Sequence, residues 1–303
     1  MSQWTTSDIP SQRGRSAIVT GTGGLGFEDA LALAKAGSEV IIAGRNAEKG
    51  AAAVAKIRAE VPFANVRFEH LDLASLASIK DFGKRLRSQR NSIDLLINNA
   101  GVMVPPKREE TDDGFELQLG TNYLVHFVLT AELLPLLLKG NNPRVVTLSS
   151  VAAREGEINF DDLNAQKNYS PMQVYSQSKL ACLMFAFELQ QHSDANGWGI
   201  TSIAAHPGIS RTDLLHNAPG RRSVIGIARS LLWFLFQPAS QGALPTLFAA
   251  TSPLAKGAGY YGPNRMSETR GFPTEAKIPK QALDAEASVK LWKISQKLTG
   301  ASL

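Results

Sequence analysis

The sequence predicts a single α/β domain, a doubly wound sheet of about seven parallel strands with helices on both faces and a helical lid at one end. Three observations carry that expectation. Short runs rich in Val, Ile and Leu alternate with helix-length segments over the first two thirds of the chain, as βα units with doubly buried strands do. A glycine run stands where the first of these strands meets the first helix. No composition break, Gly/Ser linker or internal repeat divides the 303 residues, and 44% hydrophobic content suffices for one large core. Residues 1–14 are expected to be a flexible segment and residues 15–303 the domain.

Ser16 to Thr20 reads as the first strand, and it runs into Gly21-Thr22-Gly23-Gly24-Leu25-Gly26. A helix over Phe27 to Ala36, closed by Gly37, follows. Gly21, Gly23 and Gly26 have the spacing of the dinucleotide fingerprint of Rossmann-type folds, which lets the backbone approach a pyrophosphate and turns helix-terminal amides toward it. The alternative is a tight βα turn with no ligand. The second strand, Glu39 to Ala43, ends in Gly44-Arg45-Asn46, where such folds meet the adenosine ribose. An acid there would accept from the ribose hydroxyls and repel a 2′-phosphate. Arg45 suits a phosphate instead, so NADP(H) is expected to be preferred over NAD(H), a solvated loop arginine being the plainer reading.

Val66 to His70 is the third strand, followed by Asp72-Leu73, where Asp72 either contacts adenine or starts the helix from Ser75. Ile93 to Asn98 is the fourth. The small residues of Asn99-Ala100-Gly101 let the chain pass close to a cofactor, while Asn98 and Asn99 can equally bond loop backbone at the strand end. A long helix over Asp113 to Leu138 carries Asn122, whose amide on an apolar segment needs buried partners. Arg144 to Leu148 is the fifth strand. It delivers Ser149-Ser150 to its C-terminal end, the edge where open α/β sheets place their sites.

One helix is expected over Met172 to Ser193, and on it Tyr175 and Lys179 stand four residues apart, on one face and within reach of a common reactant. A phenol exchanges protons poorly near neutrality unless a neighbouring cation favours its phenolate, so the pair suits proton transfer at a carbonyl oxygen. Alone it is equally a surface lysine over a half-buried tyrosine.

Composition narrows the function classes. The excess of 32 basic over 27 acidic residues gives +5 without a dense basic run, which favours anionic small molecules over nucleic acid. Cys182 is the one cysteine, so an intrachain disulfide and a thiolate metal cluster are excluded, and the five histidines are too scattered for a metal site. His206, before a proline, is read as structural. Met1 to Arg13 lacks the apolar core of a signal peptide, and no apolar run reaches the roughly 20 residues of a membrane span, which together point to a cytoplasmic protein.

By these motifs the chain resembles the short-chain dehydrogenase/reductase family over nearly its whole length: TGTGGLG from Thr20, NNAG from Asn98, TNYL around Asn122, VTLSS ending at Ser150, YSQSK from Tyr175 and HPGISRT from His206. FELQLGTNYLVHF and YSQSKLA look like its retinol-dehydrogenase-like and carbonyl reductase branch. The resemblance implies that Tyr175 donates or accepts the proton at the substrate oxygen, that Ser150 hydrogen-bonds that oxygen, and that Lys179 supports Tyr175 and holds the nicotinamide ribose. Asn122 would anchor a water beyond Lys179. Pro207-Gly208-Ile209 and Thr212 would clamp the nicotinamide end. Two departures stand out. Only Thr22 and Gly23 separate Gly21 from Gly24, one residue fewer than usual, so the loop must take another path. An insert near Glu155 to Tyr169 is expected either to cover the substrate cleft or to obstruct the helix pairing through which many relatives form dimers or tetramers.

A sixth strand is expected over Gly199 to His206. Thr212 to Phe236 is read as the lid; its Leu214, Leu215, Ile225, Leu231, Trp233 and Phe234 imply a bulky apolar ketone, aldehyde or alcohol, core packing being the alternative. Arg221, Arg222 and Arg229 beside Trp233 would also fit a membrane surface. Pro238 to Thr251 and Ala282 to Leu298 read as helices, Tyr260-Tyr261-Gly262-Pro263 as a last strand or a turn, and Arg265 to Lys280 as irregular. The expected function is NADP(H)-dependent interconversion of an apolar carbonyl and its alcohol. Its rivals are an NAD-linked secondary alcohol dehydrogenase and a non-catalytic NADP(H)-sensing protein.

Overall fold

The computed structural model describes residues 3–211 and 236–303. Eight strands form one sheet in the order β3-β2-β1-β4-β5-β6-β7-β8: Ser16–Thr20 (β1), Glu39–Gly44 (β2), Val66–His70 (β3), Leu95–Asn98 (β4), Arg144–Leu148 (β5), Thr201–Ala205 (β6), Tyr260–Arg265 (β7) and Arg270–Glu275 (β8). The seven strands β1 to β7 run parallel, and β8 is antiparallel to β7. The order reverses between β1 and β4, so the loops after these two strands diverge and open a crevice at the carboxyl edge.

The central strands are apolar on both faces because helices cover both. Val19, Ile42, Leu95, Ile97 and Val146 face the layer of Gly24–Lys35 (α1) and Ala47–Glu60 (α2). Ile18, Ile41, Leu96 and Val145 face that of Leu76–Gln89 (α3), Val125–Leu137 (α5) and Pro171–Asn196 (α6), the short turn Leu117–Leu119 being α4. Helix α6 carries no amphipathic stripe. It is buried nearly all round from Val174 to Leu189, because Ala285–Thr299 (α9) lies over its outer side and stacks Trp292 on Phe185. Ala239–Gly242 (α7) and Leu244–Thr251 (α8) complete the other layer.

Several expectations change. The helix read over 113–138 begins only at Leu117, where the Glu116 carboxylate caps the amides of Gln118 and Leu119, and Gly120–Leu124 is a π turn that lets Asn122 lean toward the fourth strand's loop. The stretch 265–280, read as irregular, contains β8. Its Gly271 and Pro273 obscure a strand pattern, yet both are tolerated because β8 is an edge strand. Helix α1 starts at Gly24, so the glycines form its first turn. The segment expected to be flexible is anchored from Trp4 on: Trp4 meets Phe248 edge to face and Thr5 and Asp8 form a capping box. The insert wraps the start of α6, where the Gln177 side chain binds the Asn159 amide and the Leu163 carbonyl and Tyr169 donates to the Pro105 carbonyl. Thr212 and the lid lie outside the described residues, but the ends of that segment meet in a bridge between Ser210 and Gln237.

Candidate active site

The carboxyl edge of the sheet carries a groove in three parts. One cavity of about 230 Å³ lies over the glycine turn and is lined by Gly21, Gly23, Gly24, Leu25, Asn99, Ala100, Gly101, Tyr175, Lys179 and Pro207. A second, of about 610 Å³, continues past β2 between Arg45, Lys49, Asp72, Leu73 and Ala100. A third, of about 230 Å³, adjoins the first at Tyr175 and is lined by Leu25, Met103, Ser149, Ser150, Met172, Pro207, Gly208 and Ile209. Tyr175 and Pro207 line both the first and the third cavity.

The glycine turn is shaped from beneath by Asn99. Its Nδ2 donates to the Thr20 carbonyl at 2.7 Å, and a Cβ on Gly21 or Gly26 would stand 2.8 or 2.6 Å from that nitrogen. Gly26 is thus a packing residue and does not line the groove, while Gly21, at φ +103°, holds a backbone that few other residues adopt. The alternative reading of Asn99 as a residue that bonds loop backbone is what the structure shows. The turn leaves Gly23 as the N-cap of α1 with no side-chain oxygen on the first-turn amides, which therefore remain for an anion in the cavity. At the far end, Arg45 and Lys49 bring two cations to a cavity that Asp72, Glu109, Glu110 and Asp112 also line, and Asp72 bends the backbone there by accepting from Ala74 at 2.9 Å. Lys49 was not singled out from sequence; its place one helical turn after Asn46 was the available signal.

On α6, Tyr175 and Lys179 are 5% exposed and share one face, as their spacing predicts. Lys179 Nζ donates to the Leu148 carbonyl at 3.0 Å, and the Ser149 hydroxyl donates to the Lys179 carbonyl at 2.8 Å, so β5 fixes the lysine at both ends. Both serines line the third cavity beside Tyr175, and Ser150 opens the short helix Val151–Glu155. Asn122 does not line the groove. Its Oδ1 accepts from the Val102 amide at 2.7 Å, and its Nδ2 donates to the Val102 carbonyl and to Ser178 Oγ at 3.0 and 2.9 Å. Gly101 lies against it, where a Cβ would stand 2.9 Å from Asn122 Oδ1 and 3.6 Å from Lys179 Nζ.

The Asn122 carbonyl accepts from His126 Nδ1 at 3.0 Å and from the Cys182 thiol at 3.1 Å. The other nitrogen of His126 pairs with Thr20 Oγ1 at 3.1 Å, and that hydroxyl accepts from the amides of Asn99 and Ala100. Burial pushes His126 down to about 4, outweighing the opposing pull of the Asn122 carbonyl, and the Lys179 charge pushes the same way as burial. Burial also raises the Cys182 thiol, consistent with a packed, unreactive group. Among the described residues no group of side chains could hold a metal ion, and no helix is long and apolar enough to cross a membrane.

The residues present fit a nicotinamide dinucleotide: an open glycine N-cap at the centre, cations at the adenosine end, and a tyrosine–lysine pair with a serine at the other. The short chain dehydrogenase family model matches residues 15–222. Polyprenol dehydrogenase of Mus musculus is 40% identical over 299 residues, 97% of this chain and 86% of that protein. Retinol dehydrogenase 13 of Mus musculus is 39% identical over 298 residues, covering 96% and 85%. The crystal structure of an uncharacterized protein from Mycobacterium Paratuberculosis superposes with a TM-score of 0.82 at 36% identity, covering 99% of each chain. By motif, fold and similarity over its length, this chain belongs to the short-chain dehydrogenase/reductase family of oxidoreductases.

Proposed function

We propose that this protein interconverts an apolar ketone or aldehyde and the corresponding alcohol, with NADP(H) preferred over NAD(H). The observation that carries the reading is Tyr175, which lines both the cavity over the glycine turn and the adjoining, largely apolar cavity that holds Ser150. Its phenol therefore faces the place where a dinucleotide and a carbonyl compound would meet.

A bound dinucleotide supplies or takes the hydride. The protein supplies the rest. The α1 first turn receives the pyrophosphate, and Arg45 with Lys49 receives a ribose phosphate, which supports the preference for NADP(H). Tyr175 moves the proton at the substrate oxygen, Ser150 donates a hydrogen bond to that oxygen, and Lys179 keeps a positive charge beside the phenol. Leu25, Met103, Val151, Ala152, Met172 and Ile209 exclude water from the reacting carbon and favour an apolar substrate.

A second reading, oxidation of a long apolar alcohol, is favoured by the polyprenol and retinol in the relatives' names. The test is cofactor turnover by the purified protein: NADPH and NADH with a panel of ketones and aldehydes, then NADP and NAD with isoprenoid and secondary alcohols. The proposal requires turnover that falls roughly 10²–10⁴-fold in Tyr175→Phe. Binding of NADPH without turnover of any compound would leave a non-catalytic binding protein, and preference for NADH would sink the cofactor assignment.

A further inference from the structure

The hairpin between β7 and β8 turns through Met266, Ser267 and Glu268, three successive non-glycine residues with φ of 50°, 54° and 66°. Such a run is costly for side chains with a Cβ and persists only where surrounding contacts enforce it. The contacts here converge on one carboxylate. Glu268 Oε2 lies 3.0 Å from His206 Nε2 and 2.6 Å from Arg154, while its Oε1 accepts from the Lys277 amide at 3.0 Å. A carboxylate only accepts, so Nε2 of His206 carries the proton; its Nδ1 then accepts from the Gly208 amide at 3.2 Å.

The residues reached in this way lie on the two segments that wall the cavity beside Tyr175, next to its lining residues Val151, Ala152 and Pro207. Arg154 lies on the short helix that Ser150 opens, and it also donates to the Ser267 carbonyl at 3.1 Å. His206 immediately precedes Pro207 and Gly208. The Ile209 amide donates to the Thr269 carbonyl at 2.8 Å, and a Cβ on Gly208 would come within 2.3 Å of that oxygen. His206 is fully buried, and a Cβ on Gly262 would overlap its ring, so the imidazole has one place to sit. The arrangement is a brace. The carboxylate ties the serine wall to the Pro207–Ile209 wall through a turn whose backbone is otherwise unfavourable.

We propose that Glu268, acting through His206 and Arg154, is a positioning residue that sets the Pro207–Ile209 loop against the nicotinamide end of the groove and Ser150 against the substrate. The proposal rests on the dinucleotide reading of the groove. It assigns a role to the turn of that hairpin, and it makes the turn a determinant of how the reacting carbon is presented.

The experiment uses the full chain and the variants Glu268→Ala, Glu268→Gln and Arg154→Lys. Hydrogen exchange of the Gly208 and Ile209 amides is measured without cofactor, with NADPH affinity, affinity for 2′,5′-ADP, and kcat at saturating substrate. In Glu268→Ala, exchange at both amides is expected to accelerate at least tenfold. NADPH affinity and kcat are expected to fall roughly tenfold or more, since small misplacements are costly in oriented reactions. Affinity for 2′,5′-ADP, which probes only the adenosine end, stays within twofold. Arg154→Lys, which keeps a charge without the fork, falls between wild type and Glu268→Ala. Unchanged exchange, NADPH affinity and kcat in a folded Glu268→Ala would overturn the proposal, as would equal losses of 2′,5′-ADP and NADPH affinity. Should Glu268→Ala not fold, the same criteria apply to Glu268→Gln. A wild type that binds no dinucleotide sinks the reading of the groove, whereas a wild type that binds while the variants are unaffected sinks the brace alone.

Discussion

His126 Nδ1 lies 3.0 Å from the main-chain oxygen of Asn122, and its Nε2 lies 3.1 Å from Thr20 Oγ1. A carbonyl only accepts, so Nδ1 carries the proton and Nε2 accepts from the threonine hydroxyl. One neutral imidazole thereby joins the π turn of the Asn122 segment to the residue that holds the Asn99 and Ala100 amides beneath the groove.

Protonating that ring requires breaking the Thr20 bond inside a buried site. Its folded pKa, lowered to about 4, lies below the ordinary histidine value of 6.5. The unfolded chain therefore binds more protons between pH 6.5 and 4, and stability falls as pH drops through that window, by roughly 3 kcal/mol at most. His206, also lowered by burial, adds to the slope. Denaturant unfolding of wild type and His126→Gln from pH 4 to 7 is expected to show a shallower pH dependence in the variant. Parallel curves would refute the assignment.

Asp29 gives the opposite sign. It is fully buried on α1, neither carboxylate oxygen has a partner among the described residues, and burial, reinforced by Glu28, holds its pKa well above the usual carboxylate range. The folded state keeps a proton that the unfolded state releases, so stability declines as pH rises from the ordinary carboxylate pKa toward the raised one. Asp29→Ala is expected to raise stability at pH 7 by about 1 kcal/mol, near 2 °C in Tm, with a smaller gain at pH 4. A loss of stability at pH 7 would mean that the carboxyl has a partner in solution.

Arg45 and Lys49 line the same cavity, so the proposed NADP(H) preference would divide between them. Arg45→Ala should weaken NADPH binding roughly 10–100-fold while changing NADH binding less than threefold, the size expected for charge-assisted hydrogen bonds to a phosphate. Lys49→Ala should show a smaller loss of the same kind. Titrating both cofactors against both variants checks this, and equal losses for NADPH and NADH would count against a 2′-phosphate site.

The two adjacent serines should separate cleanly. Both serines line the cavity beside Tyr175, but the Ser149 hydroxyl is committed to the Lys179 carbonyl at 2.8 Å, whereas Ser150 caps the short helix that follows it. Ser150→Ala is expected to lower kcat about 100-fold with little change in Tm, and Ser149→Ala to lower Tm by a few degrees with a smaller effect on kcat. The reverse ranking would exchange their roles.

Most of this architecture was legible in the residues. The strands β1, β2, β4, β5 and β6 fall where the apolar runs stand, because a strand buried on both faces leaves an unbroken hydrophobic signature, which the half-buried edge strand β3 does not carry. The four-residue spacing of Tyr175 and Lys179 survives because a helix fixes it locally. The glycine turn was readable because a backbone at φ +103° selects its residue type. The failures share a cause. The edge strand β8 lacks a buried face to impose a pattern, and the π turn at Gly120–Leu124 exists because Asn122 bonds Val102, a partner twenty residues away.

By itself the chain determined the order of strands and helices, the glycine-rich turn and the reactive pair on α6, since each depends on contacts within a few residues or on burial common to a whole segment. Only the folded molecule decided that Asn122 and His126 brace the groove from below, that Lys49 joins Arg45, and that Glu268 meets His206 and Arg154 across 62 and 114 residues of sequence. Hydrogen bonds and ion pairs between distant segments leave no periodicity for a sequence to display. They arise where the sheet order brings strand ends together, and at this carboxyl edge those meetings shape the groove.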